Sequence, residues 1–505
     1  MAEFDQKTLD KLLDTAQAAA KKLQQLSPLQ VERIVKAVTA AAAQKSEYYG
    51  EWAVRETGYG RTDDKHQKNL AAIAPFMGED ADLGRYARPK VDNDLKLVEV
   101  PKPAGVITAL VPVTNPIATV DYKACCALIT RNAMILSPHP GSKQCSTDVL
   151  NYLHDVAVQN GAPAGCIQII EKPAVELTQA LMRDERNNLT LATGGPAMVR
   201  AAYSSSNPAI GVGAANVACY VDRTADIQKA AQDIVFSAPF DNSLPCTCES
   251  VVIADMPIAA ELKQAMKNNP AYIVESPEEQ QKLRNFLYPE GKMNTQMIGK
   301  NASLIAQQAG FTIPDSVRLL VMPINSIGYH EPFSKEKMFP VVGLFEVDGS
   351  HEAIQTAQSM LNLMGKGHSA VIHANNPDVI VRFGDALPVC RIPVNTAGCI
   401  GSSGATTNLD TSSVIGTGFF GRSSVDRNVG PDQLVQWTRV AFSNEPGSHY
   451  TPMDSAVEQL VVEKNARKTS APAAASNSVP ASSRDDLKSL IREVLAEELR
   501  DILKK

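Results

Sequence analysis

The sequence has no run of about 18 apolar residues, the length a helix needs to span a bilayer. Its start, MAEFDQKTLDKLLDTAQAAAKKLQQL, lacks the short apolar core and small-residue cleavage site of a secretory signal. Both absences predict a cytoplasmic protein with no membrane partner. A basic excess is missing too: the formal net charge is −6 over 505 residues. That disfavours nucleic acid as a partner, while leaving room for a local patch that takes a phosphorylated cofactor. The nine cysteines (125, 126, 145, 166, 219, 246, 248, 390 and 399) are an odd number in a large chain without export signals. A disulfide framework is therefore not expected, and most of them read as small buried hydrophobes. The eight histidines show no H-x-x-x-H spacing. His330, His368 and His373 read as loop or core residues, and no metal site is predicted.

With 44% hydrophobic and 21% charged residues, the chain can bury a substantial core divided among two or three lobes. From Asp5 to about Thr57, Leu9, Leu12, Leu13, Ala16, Leu23, Val31, Ile34, Val35 and Val38 recur at helical spacing. This predicts amphipathic helices packed on a larger lobe. From Leu97 the pattern changes to short apolar runs separated by helical stretches: VITALVPV (106–113), NAMILS (132–137), CIQII (166–170), LTLAT (189–193) and VACYV (217–221). Strands alternating with helices predict an α/β architecture with parallel βαβ units and a doubly wound sheet. A second alternation, ESVVIAD (249–255), RLLVMP (318–323), VVGLFEV (341–347), SAVIHA (369–374) and RIPVN (391–395), predicts another α/β lobe with Cys246 at its entrance.

Two strand-to-helix junctions carry readable caps. Asn115-Pro116 sets a capping side chain before a proline suited to the first helical position, and Gly194-Gly195-Pro196 repeats the arrangement. Unpaired N–H groups at such junctions face the carboxyl ends of the strands, where phosphates and developing oxyanions bind. Residues 468–483, KTSAPAAASNSVPASS, read as a flexible tether. Beyond it, Leu487, Leu490, Ile491, Val494, Leu495, Leu499, Ile502 and Leu503 form one apolar stripe, with Ser483 as cap and Lys504 and Lys505 in the last turn. A helix of this length is marginal alone in water, so the stripe at 484–505 predicts a docking peptide.

Cys246 follows an Asn-Ser-Leu-Pro turn and precedes an apparent strand, so its thiol can project into the cleft between two lobes. The order Asn115, Thr193-Gly194-Gly195, G-V-G-A-A-N (211–216), FDNSLPC (240–246) and EKMFPV (336–341) resembles the aldehyde dehydrogenase superfamily across roughly residues 5 to 445. SPHP (137–140), FDNSLPC and EKMFPV are similar to its CoA-acylating branch, which includes acetaldehyde and propionaldehyde dehydrogenases. The resemblance implies a Rossmann-type cofactor lobe, an α/β catalytic lobe and a small β oligomerisation flap. It divides the chain into 1–240 for N-terminal helices and dinucleotide and CoA binding, with a flap segment at 95–107, and 241–430 for the catalytic lobe. Residues 431–467 then return to the flap, through LVQWTRVAF (434–442), and imply a homodimer or homotetramer.

The same resemblance implies the roles. Cys246 becomes the nucleophile toward a short-chain aldehyde, and Asn115 an oxyanion donor alongside the Cys246 N–H. Thr193, Gly194, Gly195, Gly211 and Gly213 would lie beside the cofactor, and Glu336 would meet the nicotinamide ribose. Hydrolytic relatives have E-L-G-G where this chain has Gly211-Val212-Gly213-Ala214, and their glutamate activates water. Glycine has no titratable group, so CoA is the implied acceptor and the reaction should be reversible. Relatives also carry Lys-Pro-Ser where this chain reads Ser137-Pro138-His139. The missing lysine leaves NAD or NADP open, with NAD favoured, and suits a groove that also takes the ADP part of CoA. The loops GCIGSSGATTNLD (398–410) and GTGFFGRSS (416–424) are read as lying at the aldehyde pocket. Residues 484–505 resemble the encapsulation peptides of bacterial microcompartments, whose shell or core proteins are the implied partners. Two other readings stand beside this one: an acyl-phosphate reductase of the glutamyl phosphate reductase kind, and a scaffold that binds shell proteins. The stretch after residue 445 is too short for a metal-dependent alcohol domain, so a bifunctional aldehyde–alcohol enzyme is not expected.

Overall fold

The computed structural model describes residues 5–78 and 81–466. The tether expected at 468–483 and the docking helix expected at 484–505 lie outside the described residues. Four helices open the chain: α1 (Gln6–Leu23), α2 (Pro28–Gln44), α3 (Ser46–Thr57) and α4 (Thr62–Ile73). The Asp5 carboxylate caps α1, and Ser27 with Gln30 closes a capping box on α2. Leu13, Leu23, Ile34 and Val38 are buried in one core with Ile107, Ile135 and Leu150. The amphipathic start therefore packs on the larger lobe, as its periodicity predicts.

After β1 (Lys90–Asp92) and β2 (Leu97–Pro103) come five parallel strands: β3 (Val106–Val111), β4 (Ala133–Pro138), β5 (Ile167–Ile169), β6 (Leu189–Thr193) and β7 (Ala209–Val212). They lie in the order β5-β4-β3-β6-β7. Helices α5 (Pro116–Ile129), α6 (Lys143–Gln159), α7 (Val175–Arg183) and α8 (Pro196–Tyr203) make the crossovers. Every residue of β3 and β4 is buried, which is why both read as unbroken apolar runs instead of alternating ones. The chain moves outward from β3 to β5, then resumes on the other side of β3 at β6. The loops leaving β3 and β6 thus flank the point where strand order reverses, the crevice that open α/β sheets use for ligands.

The second sheet is also parallel, in the order β10-β11-β12-β9-β8-β14. Its strands are β8 (Val217–Val221), β9 (Glu249–Asp255), β10 (Ala271–Ile273), β11 (Leu319–Pro323), β12 (Val341–Val347) and β14 (Val371–His373), while β13 (Gly367–Ser369) pairs separately with β15 (Val389–Arg391). VACYV, grouped with the first alternation in the sequence, belongs instead to this second sheet as β8. Only residues 213–216 separate β7 from β8, too few for a crossover between neighbouring parallel strands. The chain therefore changes sheets at this link. Helix α9 (Ile227–Ser237) then leads toward Cys246. Finally β16 (Val435–Ala441) pairs antiparallel with β2, which β1 flanks on its other edge, forming a three-stranded flap. Among the described residues no helix is long and apolar enough to cross a membrane.

Candidate active site

The segment before Cys246 is held in an unusual backbone conformation. Asp241, Asn242 and Ser243 have φ of 47°, 55° and 62°, a left-handed region that costs non-glycine residues roughly 1–2 kcal/mol each. Surrounding contacts over-determine it. The Asp241 N–H donates to Asp64 Oδ2 at 2.9 Å, and its carboxylate accepts from the Arg61 N–H at 2.8 Å, from Lys65 Nζ at 3.0 Å and from Lys68 Nζ. Asn242 Nδ2 donates to Gly299 O and Asn301 Oδ1 at 2.8 and 2.9 Å. One face of α4 therefore clamps the loop that presents Cys246. Burial, aided by the neighbouring Lys68, brings the Lys65 ammonium down to about 8.

Cys246 itself is partly exposed, whereas its neighbour Cys248 is buried against Phe240 and Cys399. Burial pushes the Cys246 thiol up to about 12, and the Glu336 carboxylate adds to the rise. The Cys246 backbone N–H, Arg391 and Lys68 oppose it. Burial also raises the Glu336 carboxyl to about 7, against the pull of Lys337 and a hydrogen bond from the Ala215 backbone. Cys246, Glu336 and the link at 213–216 thus meet in one place. The segment 398–410 packs against the same region: Gly398 N donates to Glu249 Oε1 at 2.9 Å, and Thr247 Oγ1 to Cys399 O at 3.1 Å.

Asn115 sits at the carboxyl end of β3. Its side chain does not cap α5, as the Asn-Pro pair led one to expect. Its Oδ1 is taken instead by Lys68 Nζ at 2.5 Å, and Nδ2 approaches Thr114 Oγ1 at 3.3 Å. A competing cation from another helix removes the oxygen that a cap would use. Across the reversal point lies Thr193, at the end of β6. Buried Lys123 joins the two strands, donating to Leu110 O, Leu191 O and Thr193 Oγ1 at 2.7, 3.4 and 3.1 Å. A Cβ on Gly195 would meet nothing within 4 Å, and one on Gly194 only Met198 Cβ at 3.8 Å. Bare backbone at the start of α8 beside open space fits a dinucleotide pyrophosphate. Ser137 and Pro138 end β4, one strand further out, where the Ser137 hydroxyl is tied to Thr178 Oγ1 at 2.8 Å.

Gly211 lies within β7, opposite Ala192. A Cβ there would stand 2.5 Å from Val199 Cγ1 and 2.7 Å from Tyr203 Cε2, closer than real atoms approach. The Tyr203 oxygen accepts from the Gly211 and Ser424 N–H groups at 2.8 and 3.1 Å and bonds Ser423 Oγ at 3.1 Å. The place a side chain at 211 would need is therefore filled and latched. Gly213, two residues on, borders a cleft of about 680 Å³ with Tyr203, Arg200, Lys366, Phe420 and Arg422. Phe419 stands exposed beside it.

Sequence reasoning missed Lys65, Lys68, Tyr203, Lys123 and Arg391. The spacing of Asp64, Lys65 and Lys68 on one helical face offered a signal for the clamp. Nothing near Tyr203 did, because its role arises only when α8 folds back on β7.

A profile of the aldehyde dehydrogenase family matches residues 1–283. A succinate-semialdehyde dehydrogenase (acetylating) of Clostridium kluyveri is 33% identical over 438 residues, covering 87% of this chain and 96% of that protein. An aldehyde-alcohol dehydrogenase of Clostridium acetobutylicum is 35% identical over 444 residues, covering 87% of this chain and 51% of that protein. The chain spans about half the length of such bifunctional relatives. Among solved structures, an acetylating aldehyde dehydrogenase of Geobacillus thermoglucosidasius superposes with a TM-score of 0.84 at 34% identity, over 88% of this chain and 98% of that one. A propionaldehyde dehydrogenase from the Clostridium phytofermentans fucose utilisation bacterial microcompartment gives 0.77 at 26%, over 87% and 98%. One from Rhodopseudomonas palustris, with bound CoA and an acylated cysteine, gives 0.76 at 27%, over 86% and 96%. Matched over most of its length in sequence and in both parallel sheets in structure, the chain belongs to the aldehyde dehydrogenase family.

Proposed function

We propose that the chain catalyses a reversible reaction, aldehyde + NAD(P)+ + CoA to acyl-CoA + NAD(P)H + H+, on a short-chain aldehyde. The observation that carries the choice of CoA over water is the packing at Gly211, where Val199 and Tyr203 fill the space a water-activating glutamate would need. The Cys246 sulfur, its proton leaving as the H+ of the overall equation, adds to the aldehyde carbonyl, and the Asn115 amide with the Cys246 N–H holds the oxyanion of the hemithioacetal. When bound, the dinucleotide takes up the hydride that leaves as the hemithioacetal becomes a thioester. Thr193, Gly194, Gly195 and Glu336 would hold it, and Ser137, Pro138 and Gly213 would border a groove shared with CoA. The CoA thiolate then displaces the Cys246 thiolate. One thioester replaces another, so the free-energy change of this step is small and the reaction runs both ways.

The acetylating relative and the R. palustris structure with CoA and an acylated cysteine support this reading. NAD is the favoured dinucleotide. A panel of short aldehydes assayed with and without CoA, using NAD and NADP separately, tests it. NAD(P)H formation should depend on CoA for turnover beyond one equivalent, with acyl-CoA as product. Equal rates to free acid without CoA would refute the assignment, and phosphate-dependent, CoA-independent oxidation would favour an acyl-phosphate enzyme.

The division into a cofactor lobe (1–240), a catalytic lobe (241–430) and a flap return (431–467) belongs to the same reading. Its support is the ladder between β2 and β16, whose outer residues Arg439 to Ala441 are exposed and suited to exchange between subunits of a homodimer or homotetramer. The apolar stripe at 484–505 and the microcompartment origin of one structural relative support encapsulation, with shell or core proteins as partners.

A further inference from the structure

Helix α4 clamps the loop ahead of Cys246, and one of its cations also reaches a proposed catalytic group directly. Lys68 Nζ donates to Asn115 Oδ1 at 2.5 Å and also to the Asp241 carboxylate, five residues ahead of Cys246. Lys65, one helical turn back on the same face, donates to Asp241 Oδ2 at 3.0 Å and to Thr114 O at 3.1 Å. Two lysines thus join the Asn115 loop of the first sheet to the Cys246 loop of the second.

We propose that Lys68 is a positioning residue for the oxyanion site, fixing the Asn115 amide through its oxygen so that Nδ2 is presented to the substrate. This rests on the reading of Cys246 as nucleophile and Asn115 as oxyanion donor. A side-chain amide can turn about its last bond and offer either oxygen or nitrogen; an oxygen in the oxyanion position would repel the developing charge. With Oδ1 held by an ammonium, the turned orientation would set the –NH2 group against Lys68, donor against donor. Charge works in the same direction. Two ammonium groups facing one carboxylate leave an unneutralised positive charge behind Asn115, and drawing electrons toward Oδ1 makes the Nδ2–H groups better donors. Asp241 remains paired with Lys65 when Lys68 is removed, so the Cys246 loop keeps one of its two cationic anchors.

The test is a double-mutant cycle on the first turnover, the burst of NAD(P)H formed from aldehyde and dinucleotide without CoA. Lys68→Met and Asn115→Ala should each slow the burst about 10²-fold, the size expected for losing one oxyanion donor. In the double variant the loss should stay within about threefold of Asn115→Ala alone, because Lys68 acts through that amide. A merely structural lysine predicts multiplied losses near 10⁴-fold, and that result, or an unchanged burst in Lys68→Met, overturns the proposal. Lys68→Leu, which likewise removes the ammonium and its hydrogen bonds, carries the same cycle if Lys68→Met is recovered in poor yield. Failure of the underlying reading is separately visible: wild-type protein would then give no burst without CoA, or one that Asn115→Ala leaves untouched.

Discussion

Cys246→Ala should lower aldehyde oxidation by at least about 10⁴-fold, with and without CoA, the scale on which nucleophile removal acts in covalent enzymes. In the proposed reaction the thiol is the group on which both half-reactions converge. Without it the aldehyde carbon gains no sulfur, the carbon–hydrogen bond is not activated for hydride release, and CoA finds no thioester to attack. Folding should be nearly untouched, because one sulfur is lost from a partly exposed position and the hydrogen bonds that clamp Asp241 and Asn242 do not involve it. Cys390 is the natural control, since it is the other cysteine that is not buried. Cys390→Ala should keep near wild-type turnover. Steady-state NAD(P)H formation, with thermal unfolding measured alongside, checks both variants. Substantial activity in Cys246→Ala would remove the nucleophile from this account.

The second large effect runs against what the sequence motif alone invites. Restoring the hydrolytic motif by Gly211→Glu should not create a hydrolase; it should destabilise the protein. A Cβ at 211 falls 2.5 Å from Val199 Cγ1 and 2.7 Å from Tyr203 Cε2, and overpacking of this kind costs about 1–3 kcal/mol. A carboxylate forced into the same buried place adds a desolvation cost. Tyr203 cannot yield easily, since its oxygen is bonded to Gly211, Ser423 and Ser424. The melting temperature should fall, and the ratio of free acid to acyl-CoA should not rise. In a Tyr203→Ala background the same glutamate should lower the melting temperature less. A Gly211→Glu variant as stable as wild type that releases acid without CoA would show that the packing at β7 does not decide the acceptor.

These two residues also mark how far the sequence reaches. The strands of both sheets were legible because parallel strands covered on both faces read as unbroken apolar runs, VITALV in β3 being the clearest. The same property hides which sheet a strand joins, so VACYV was grouped with the wrong neighbours. The four-residue link before it held the clue, being too short for a parallel crossover. Cys246, Asn115, Glu336 and the glycines after β6 were found through ordered motifs that resemble a family. What the motifs omit is what holds them in place. Lys68 takes the Asn115 oxygen from a helix 47 positions earlier in the chain, and the Asn-Pro cap signal is overridden by that contact. Gly211 looked like an absence. The structure turns it into a filled position, with Tyr203 as the residue that fills it.

In the proposed reaction the acyl group on Cys246 waits for CoA, and this dependence has a direct test. The acyl-enzyme is formed in a single turnover with aldehyde and dinucleotide, and the acyl mass on the Cys246 peptide is then followed after adding buffer or CoA. The adduct should persist in buffer for far longer than one catalytic cycle and be cleared by CoA with one acyl-CoA released per chain. Decay in buffer to free acid at the rate of turnover, unchanged by CoA, would contradict this dependence.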